Sequence, residues 1–215
     1  DGDTAESQQH SNGSADRQFT CVYSNEWDKY ANSVYRRHYG ECDDRDITTV
    51  PSSDIPDHDL LVGGFPCQAF SVAGKRGGFD DTRGTLFFEI ARILRDKRPN
   101  YFLLENVSME KWCQDVISEY VGVEPIIINS NLVSAQDRKR LYWTNIKGIT
   151  QPKDKGFVLA DIIQPAEEVE EKYWYNVPFD YHGEDVRVCA TLHINGHDIL
   201  KHVYNLKYKS PTLTA

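Results

Sequence analysis

A thiol, a carboxylate and two guanidiniums stand in this chain where a substrate could reach them. Cys67 lies in GGFPCQAFS (63–71) directly after the apolar run DLLVGG, Glu105 follows YFLL, and Arg138 and Arg140 alternate within QDRKR (136–140). In extended backbone, residues two apart share a side, so the two arginines are expected to project together. A thiol nucleophile with an acid opposite it and cations beside it suits attack on a ring where negative charge develops. Each signal alone has a plainer explanation. A single cysteine is more often buried and inert, and arginines at this spacing often make surface ion pairs. A cysteine hydrolase pairing Cys67 with a histidine is a competing chemistry, but no histidine falls at a predicted strand end.

The elements that must hold these groups are legible from periodicity. DHDLLVGG ends a continuous apolar run in two glycines, as a strand buried on both faces does. TLFFEIARILRDKR places Leu86, Phe87, Ile90, Ile93 and Leu94 on one helical face, and Pro99 stops it before the strand NYFLLENV. The helix EKWCQDVISEYVG leads to the strand PIIINSNLV and, past a polar turn, to RLYWTNI. Upstream, FTCVYSNE reads as a strand, and WDKYANSVYRRHY sets Trp27, Tyr30, Ala31, Val34 and Tyr35 at helical spacing. This alternation predicts an α/β fold with a doubly wound, mostly parallel sheet, whose site lies beyond the carboxyl ends of the strands. Cys67 and Glu105 stand at two such ends. Residues 1–18 are too polar to bury a core and are expected to be a disordered lead-in. Residues 19–148 form the expected catalytic domain, and 149–215, acidic and aromatic without clear period, a separate small region.

Composition narrows the class. The chain has 215 residues with 40% hydrophobic and 12% aromatic content, enough for one core and a small appendage. No apolar run approaches the length of a membrane span, the N-terminus lacks the pattern of a secretory signal, and a cytoplasmic location is expected. Cysteines 21, 42, 67, 113 and 189 are odd in number, with no CxxC pair, which argues against a disulfide framework and against zinc. His193 and His197 would form a metal pair only on a helix, which Gly196 disfavours, so no metal is expected. The net charge of −9 speaks mildly against a nucleic-acid partner. Basic residues nevertheless cluster at Lys75-Arg76 and at Arg138-Lys139-Arg140, while acids gather in 154–185.

In this order, GGFPCQAFSVAG, RGTLFFEIARIL, ENV and QDRKRLYW resemble the core motif series of the DNA (cytosine-5) methyltransferases. SNEWDKYA resembles that family's cofactor-binding strand end, DITTV (46–50) its next short motif, and KSPTLTA (209–215) a later motif that organises the target-recognition region. The resemblance covers about residues 21–146, and the motifs in register are far more specific together than singly. It implies a Rossmann-like fold dependent on S-adenosylmethionine, with a truncated small target-recognition region. The segment after ENV looks more like phage enzymes than the commonest bacterial form.

The resemblance assigns roles. Cys67 would add to C6 of a cytosine flipped from duplex DNA, Glu105 would hydrogen-bond N3 and N4 of the base, and Arg138 and Arg140 would hold the base and its loop. Gln68, Ser71, Lys75, Arg76 and Gln136 are assigned to DNA, the first four in a loop that begins at Pro66. Glu26 would accept from ribose hydroxyls, Trp27 would stack on adenine, Asp46 and Ile47 would flank it, and Phe65, Pro66 and Leu86 complete the cofactor contacts. Without the resemblance, Trp27 reads equally as a helix-core aromatic and GKRGG as a plain turn. Two family features are absent from these 215 residues: a glycine-rich Phe-x-Gly-x-Gly loop before SNEWDKYA, and the closing motif. A second chain supplying the missing cofactor segment is therefore an expected partner, beside duplex DNA. Two alternatives stand: methylation of cytosine in RNA, and a catalytically incomplete remnant that binds nucleic acid or a partner chain.

Overall fold

The structure, a computed structural model, describes residues 19–66, 85–174 and 176–212. The chain divides into two compact units, Asp1–His58 and Asp59–Ala215.

The first unit is built from local devices. Helix α1 (Lys29–Tyr39) starts at Asp28, whose carboxylate accepts from the N–H groups of Tyr30 and Ala31, and ends at Gly40 with φ +92°. The expected strand over 19–26 reduces to one parallel bridge, Asn25 to Asp43, with Glu26 N–H donating to Asp43 O at 2.9 Å. Two further corrections concern α1. The large side chains expected on its inward face do not meet a core: Tyr30 and Val34 on the helix are 72 and 60% exposed, and Trp27 just before it 67%. The buried position is Asn32, whose side-chain amide donates to Glu26 O at 2.7 Å. An amide that caps the preceding segment has displaced the apolar stripe as the determinant of the inward face. Cys42, Val50 and Ile55 are the buried apolar residues of this unit.

The second unit carries the sheet. Strands β1 (Leu60–Gly64), β2 (Tyr101–Val107), β3 (Ile126–Asn129) and β4 (Lys139–Thr144) lie in the order β1-β2-β4-β3. Three strands point one way, and β4 runs antiparallel between β2 and β3. The reversal follows from the connection. β3 passes to β4 through a 3-10 turn at Ser130–Leu132 and a short polar stretch, with no crossover helix to carry the chain back. Parallel β1 and β2 are joined through helix α2 (Thr85–Lys97), and β2 reaches β3 through α3 (Lys111–Val121). This is an α/β fold of the Rossmann-like kind. Among the described residues β1 pairs only with β2, which leaves its outer edge without a ladder.

The core forms where α2 and α3 meet the sheet: Phe65, Phe87, Phe102, Leu104, Cys113, Ile117, Leu141 and Trp143. Four of the five residues of the expected α2 face pack as read, with Phe87 and Ile93 buried and Ile90 and Leu94 against the cluster, while Leu86 is half-buried outside it. Trp143, fully buried, donates Nε1–H to Ser118 Oγ at 3.1 Å, so its polar edge is satisfied. A Cβ on Gly63 would come within 3.2 Å of Ile90, which explains a glycine on β1 where α2 passes close. Further along the chain β5 (Phe179–Tyr181), β6 (Val188–Leu192), a short helix α4 (Asp198–Lys201) and β7 (His202–Tyr204) form an antiparallel three-stranded sheet. Among the described residues no helix is long and apolar enough to cross a membrane.

Candidate active site

The carboxyl ends of β1 and β2 lie side by side, Gly64 opposite Glu105 in parallel register. On the other side of β2, Val107 is paired with Arg140. This register brings Arg140 Nε to 2.7 Å from Glu105 Oε1. The guanidinium is buried and the carboxylate half-exposed, so the pair has one protein-facing member and one that opens to solvent. Arg140 is held by a second bond, from a terminal nitrogen to Lys139 O at 2.8 Å. Gly64 lies beside the acid: a Cβ there would sit 3.6 Å from Glu105 Oε2, an ordinary contact.

Asn106 anchors the segment that leads to the thiol. Its buried side-chain amide donates to Phe65 O at 2.9 Å across 41 positions of sequence, and its carbonyl oxygen accepts from Val107 N–H at 2.8 Å. Phe65 packs its ring on Phe87, with centroids 5.3 Å apart. The backbone is therefore fixed from inside two residues before Cys67. Glu105, Asn106, Arg138 and Arg140, with Phe65, Pro66 and Val107, line one pocket of about 320 Å³. A half-exposed acid, two guanidiniums and an aromatic floor make it suited to a small planar polar ring.

Of the sequence-predicted residues, the structure brings Phe65, Pro66, Glu105, Arg138 and Arg140 together in that pocket. Gln136 makes a bridge to Ser210 instead, and its carbonyl accepts from Ser130 Oγ at 2.9 Å. Leu86 is half-buried in the first turn of α2. Cys67, Gln68, Ser71, Lys75 and Arg76 lie outside the described residues, as does the expected disordered lead-in. In the first unit, Glu26 Oε1 accepts from Asp28 N–H at 2.9 Å and Trp27 is exposed. Asp46 caps the 3-10 turn Ile47–Thr49, accepting from Thr48 N–H at 2.9 Å.

Sequence reasoning missed Asn106, Asp137 and Arg187. Asn106 was visible as the middle residue of ENV, and Asp137 as the lone acid inside a basic run. Arg187 carried no signal. Beside the first pocket lies a larger cleft of about 700 Å³, walled by Asn129, Asn131, Asp137, Lys139, Arg187 and Thr212 and sharing Val107 and Arg140 with it.

A sequence model described as C-5 cytosine-specific DNA methylase matches residues 8–176. The chain is 62% identical over 169 residues to the type II methyltransferase M.HhaI of Haemophilus parahaemolyticus, covering 70% of this chain and 52% of that protein. It is 59% identical over 176 residues to M.NlaX of Neisseria lactamica, covering 72% and 56%. With M.HpaII of Haemophilus parainfluenzae the identity is 38% over 182 residues, covering 74% and 51%. The chain thus spans about half the length of the curated relatives it matches. A solved E. coli structure, described as a prophage-encoded DNA modification methyltransferase, aligns with a TM-score of 0.55 at 20% identity. That alignment covers 75% of this chain and 53% of the other, a likeness of fold.

Proposed function

The chain belongs to the C-5 cytosine-specific DNA methylase family, and from that premise we propose that it transfers a methyl group to C5 of cytosine in duplex DNA. The observation that carries the reading is the Glu105–Arg140 pair in a pocket whose wall, Phe65-Pro66, runs directly into Cys67. Cytosine C5 is a weak nucleophile. Addition of the Cys67 thiolate to C6 moves an electron pair toward C5 and the ring nitrogens, and Glu105 at N3 and N4 supports the charge that accumulates there. Arg140 fixes the orientation of Glu105, and Arg138 faces the same space. The base has to leave the duplex, because no side chain reaches C6 within the stack.

S-adenosylmethionine, when bound, supplies an electrophilic methyl group. Glu26 would take its ribose hydroxyls, Trp27 its adenine face, Asp46 and Ile47 the adenine edge, and Phe65, Pro66 and Leu86 the remaining contacts. Gln68, Ser71, Lys75, Arg76 and Gln136 are assigned to DNA, and residues 149–215 to target recognition. The setting is a bacterial or viral cytoplasm, in restriction-modification or protection of viral DNA.

Covalent trapping tests the reading. Incubated with S-adenosylmethionine and duplex DNA carrying 5-fluorocytosine, the protein is expected to form an adduct that survives denaturation and is lost in Cys67→Ala. No adduct, together with no cofactor binding, would favour the remnant. Transfer to tRNA in preference to duplex DNA would move the substrate to RNA.

A further inference from the structure

Asp137 stands between Gln136 and Arg138 and, among the described residues, is the only acid that walls the larger cleft, beside Lys139, Arg140 and Arg187. In a cleft suited to a polyanion, a carboxylate weakens the attraction. Its bonds show what it offers in exchange. Oδ1 accepts from Asn131 Nδ2 at 2.7 Å and from Asn129 Nδ2 at 3.3 Å. Oδ2 accepts from an Arg187 terminal nitrogen at 2.8 Å, across 50 positions of sequence. Its backbone N–H donates to Ser210 O at 2.8 Å, and its carbonyl accepts from Thr212 Oγ1 at 2.6 Å.

These partners come from three places: the end of β3, the lead-in to β6, and the 209–212 segment beyond β7. The same network reaches the arginines. Asn129 Oδ1 accepts from Arg138 N–H at 2.9 Å, Ser210 N–H donates to Ala135 O at 2.8 Å, and Arg187 Nε–H donates to Lys209 O at 3.2 Å. An isolated surface ion pair is worth little. A carboxylate engaged on both oxygens, with its own backbone bonded on both sides, is a junction.

We propose that Asp137 is a positioning residue that ties the small three-stranded sheet and the 209–212 segment to the turn before β4, and so holds Arg138 and Arg140 at the base pocket. This rests on the reading of that pocket as the site of the cytosine. Target recognition by the small sheet then reaches the reacting base through this junction, in which the Asp137 carboxylate adds the Arg187 link to the bonds of its backbone with Ser210 and Thr212.

The test uses the full chain with Asp137→Ala, Asp137→Asn and the exchanged pair Asp137→Arg with Arg187→Asp. Without DNA, Asp137→Ala is expected to raise amide exchange at position 137 and at Ser210 by about tenfold, leaving β1 and β2 unchanged, and the exchanged pair to restore part of the protection. With duplex DNA, kcat is expected to fall by about tenfold while DNA affinity holds or rises, because a repelling charge has been removed. Asp137→Asn, which keeps the shape but not the charge, is expected to fall between wild type and Ala. Unchanged kcat in Asp137→Ala, or exchange rising uniformly through the second unit, overturns the proposal. If the wild-type chain transfers no methyl group, the cytosine reading fails by itself. Exchange then decides the junction: a local, rescuable rise supports it, and no local rise overturns it.

Discussion

The two units hold their chemistry-bearing residues by different means. In the second unit Glu105 and Arg140 sit on adjacent strands, each bonded to neighbours on both sides, and their meeting is a result of register. In the first unit Glu26, Trp27, Asp46 and Ile47 stand on one bridge and one capped turn, and the neighbouring aromatics are exposed. A ladder shares the cost of fixing a side chain among many backbone bonds, whereas a turn fixes it with two or three. Strand-borne groups are therefore oriented by the whole sheet, and turn-borne groups by a few local bonds such as those of Glu26 and Asp46.

The largest test of that contrast is Glu105→Gln. Because β2 is laddered on both sides, the fold should keep its thermal midpoint while methyl transfer falls by about 10²–10⁴-fold. A fall in midpoint to match the loss of activity would make the pair structural and break the comparison.

Next is Trp27→Ala. The side chain is 67% exposed, so stability should stay within about 0.5 kcal/mol. Affinity for S-adenosylmethionine, read by calorimetry, should weaken by about 1–3 kcal/mol, the usual worth of an aromatic platform under a base. An unchanged affinity would remove Trp27 from the cofactor contacts.

The smallest effect sharpens the picture of the first unit. Tyr23 donates to Asp43 Oδ2 at 2.9 Å, and burial, then this bond, push its hydroxyl up from 10.0 to about 12. Its protonated form is thus favoured by folding. The contribution is complete below pH 10 and lost as pH rises from 10 toward about 12. Melts across this window should show wild type losing about 1 kcal/mol more than Tyr23→Phe. Asp43 works in the opposite direction: hydrogen bonds from Arg45, at 2.7 Å, hold its carboxyl well below the usual carboxylate range. Its stabilisation is present above the unfolded value, near about 4, and is lost only as pH falls well below that. Equal alkaline losses in wild type and Tyr23→Phe would remove this bond from the account of the first unit.

What the sequence made legible follows the same division. The α2 face and the strand YFLLENV were readable because ladder and helix periods impose long, repeated patterns, and Glu105, Arg138 and Arg140 were readable as members of one site, although the ion pair between Glu105 and Arg140 was not. The inward face of α1 was not. There a single amide, Asn32, outweighed an aromatic stripe, and one hydrogen bond leaves no period. The reversed direction of β4 was implicit in the short link after Asn129, which lacks room for a crossover. Asn106, Asp137 and Arg187 escaped notice because their partners lie 41, 75 and 50 positions away, at Phe65, Thr212 and Asp137. Contacts of that kind depend on the finished topology.

The outer edge of β1, which pairs with no strand among the described residues, has a consequence of another kind. Leu60–Gly64 carries no charge and no proline, Val62 is 63% exposed, and among the described residues no second strand lies along it. Such a row of free amides and carbonyls is a template for any extended peptide, including another molecule of the same sequence. Left open, that edge would make five residues at the rim of the sheet, rather than its core, the place where copies of this polypeptide associate.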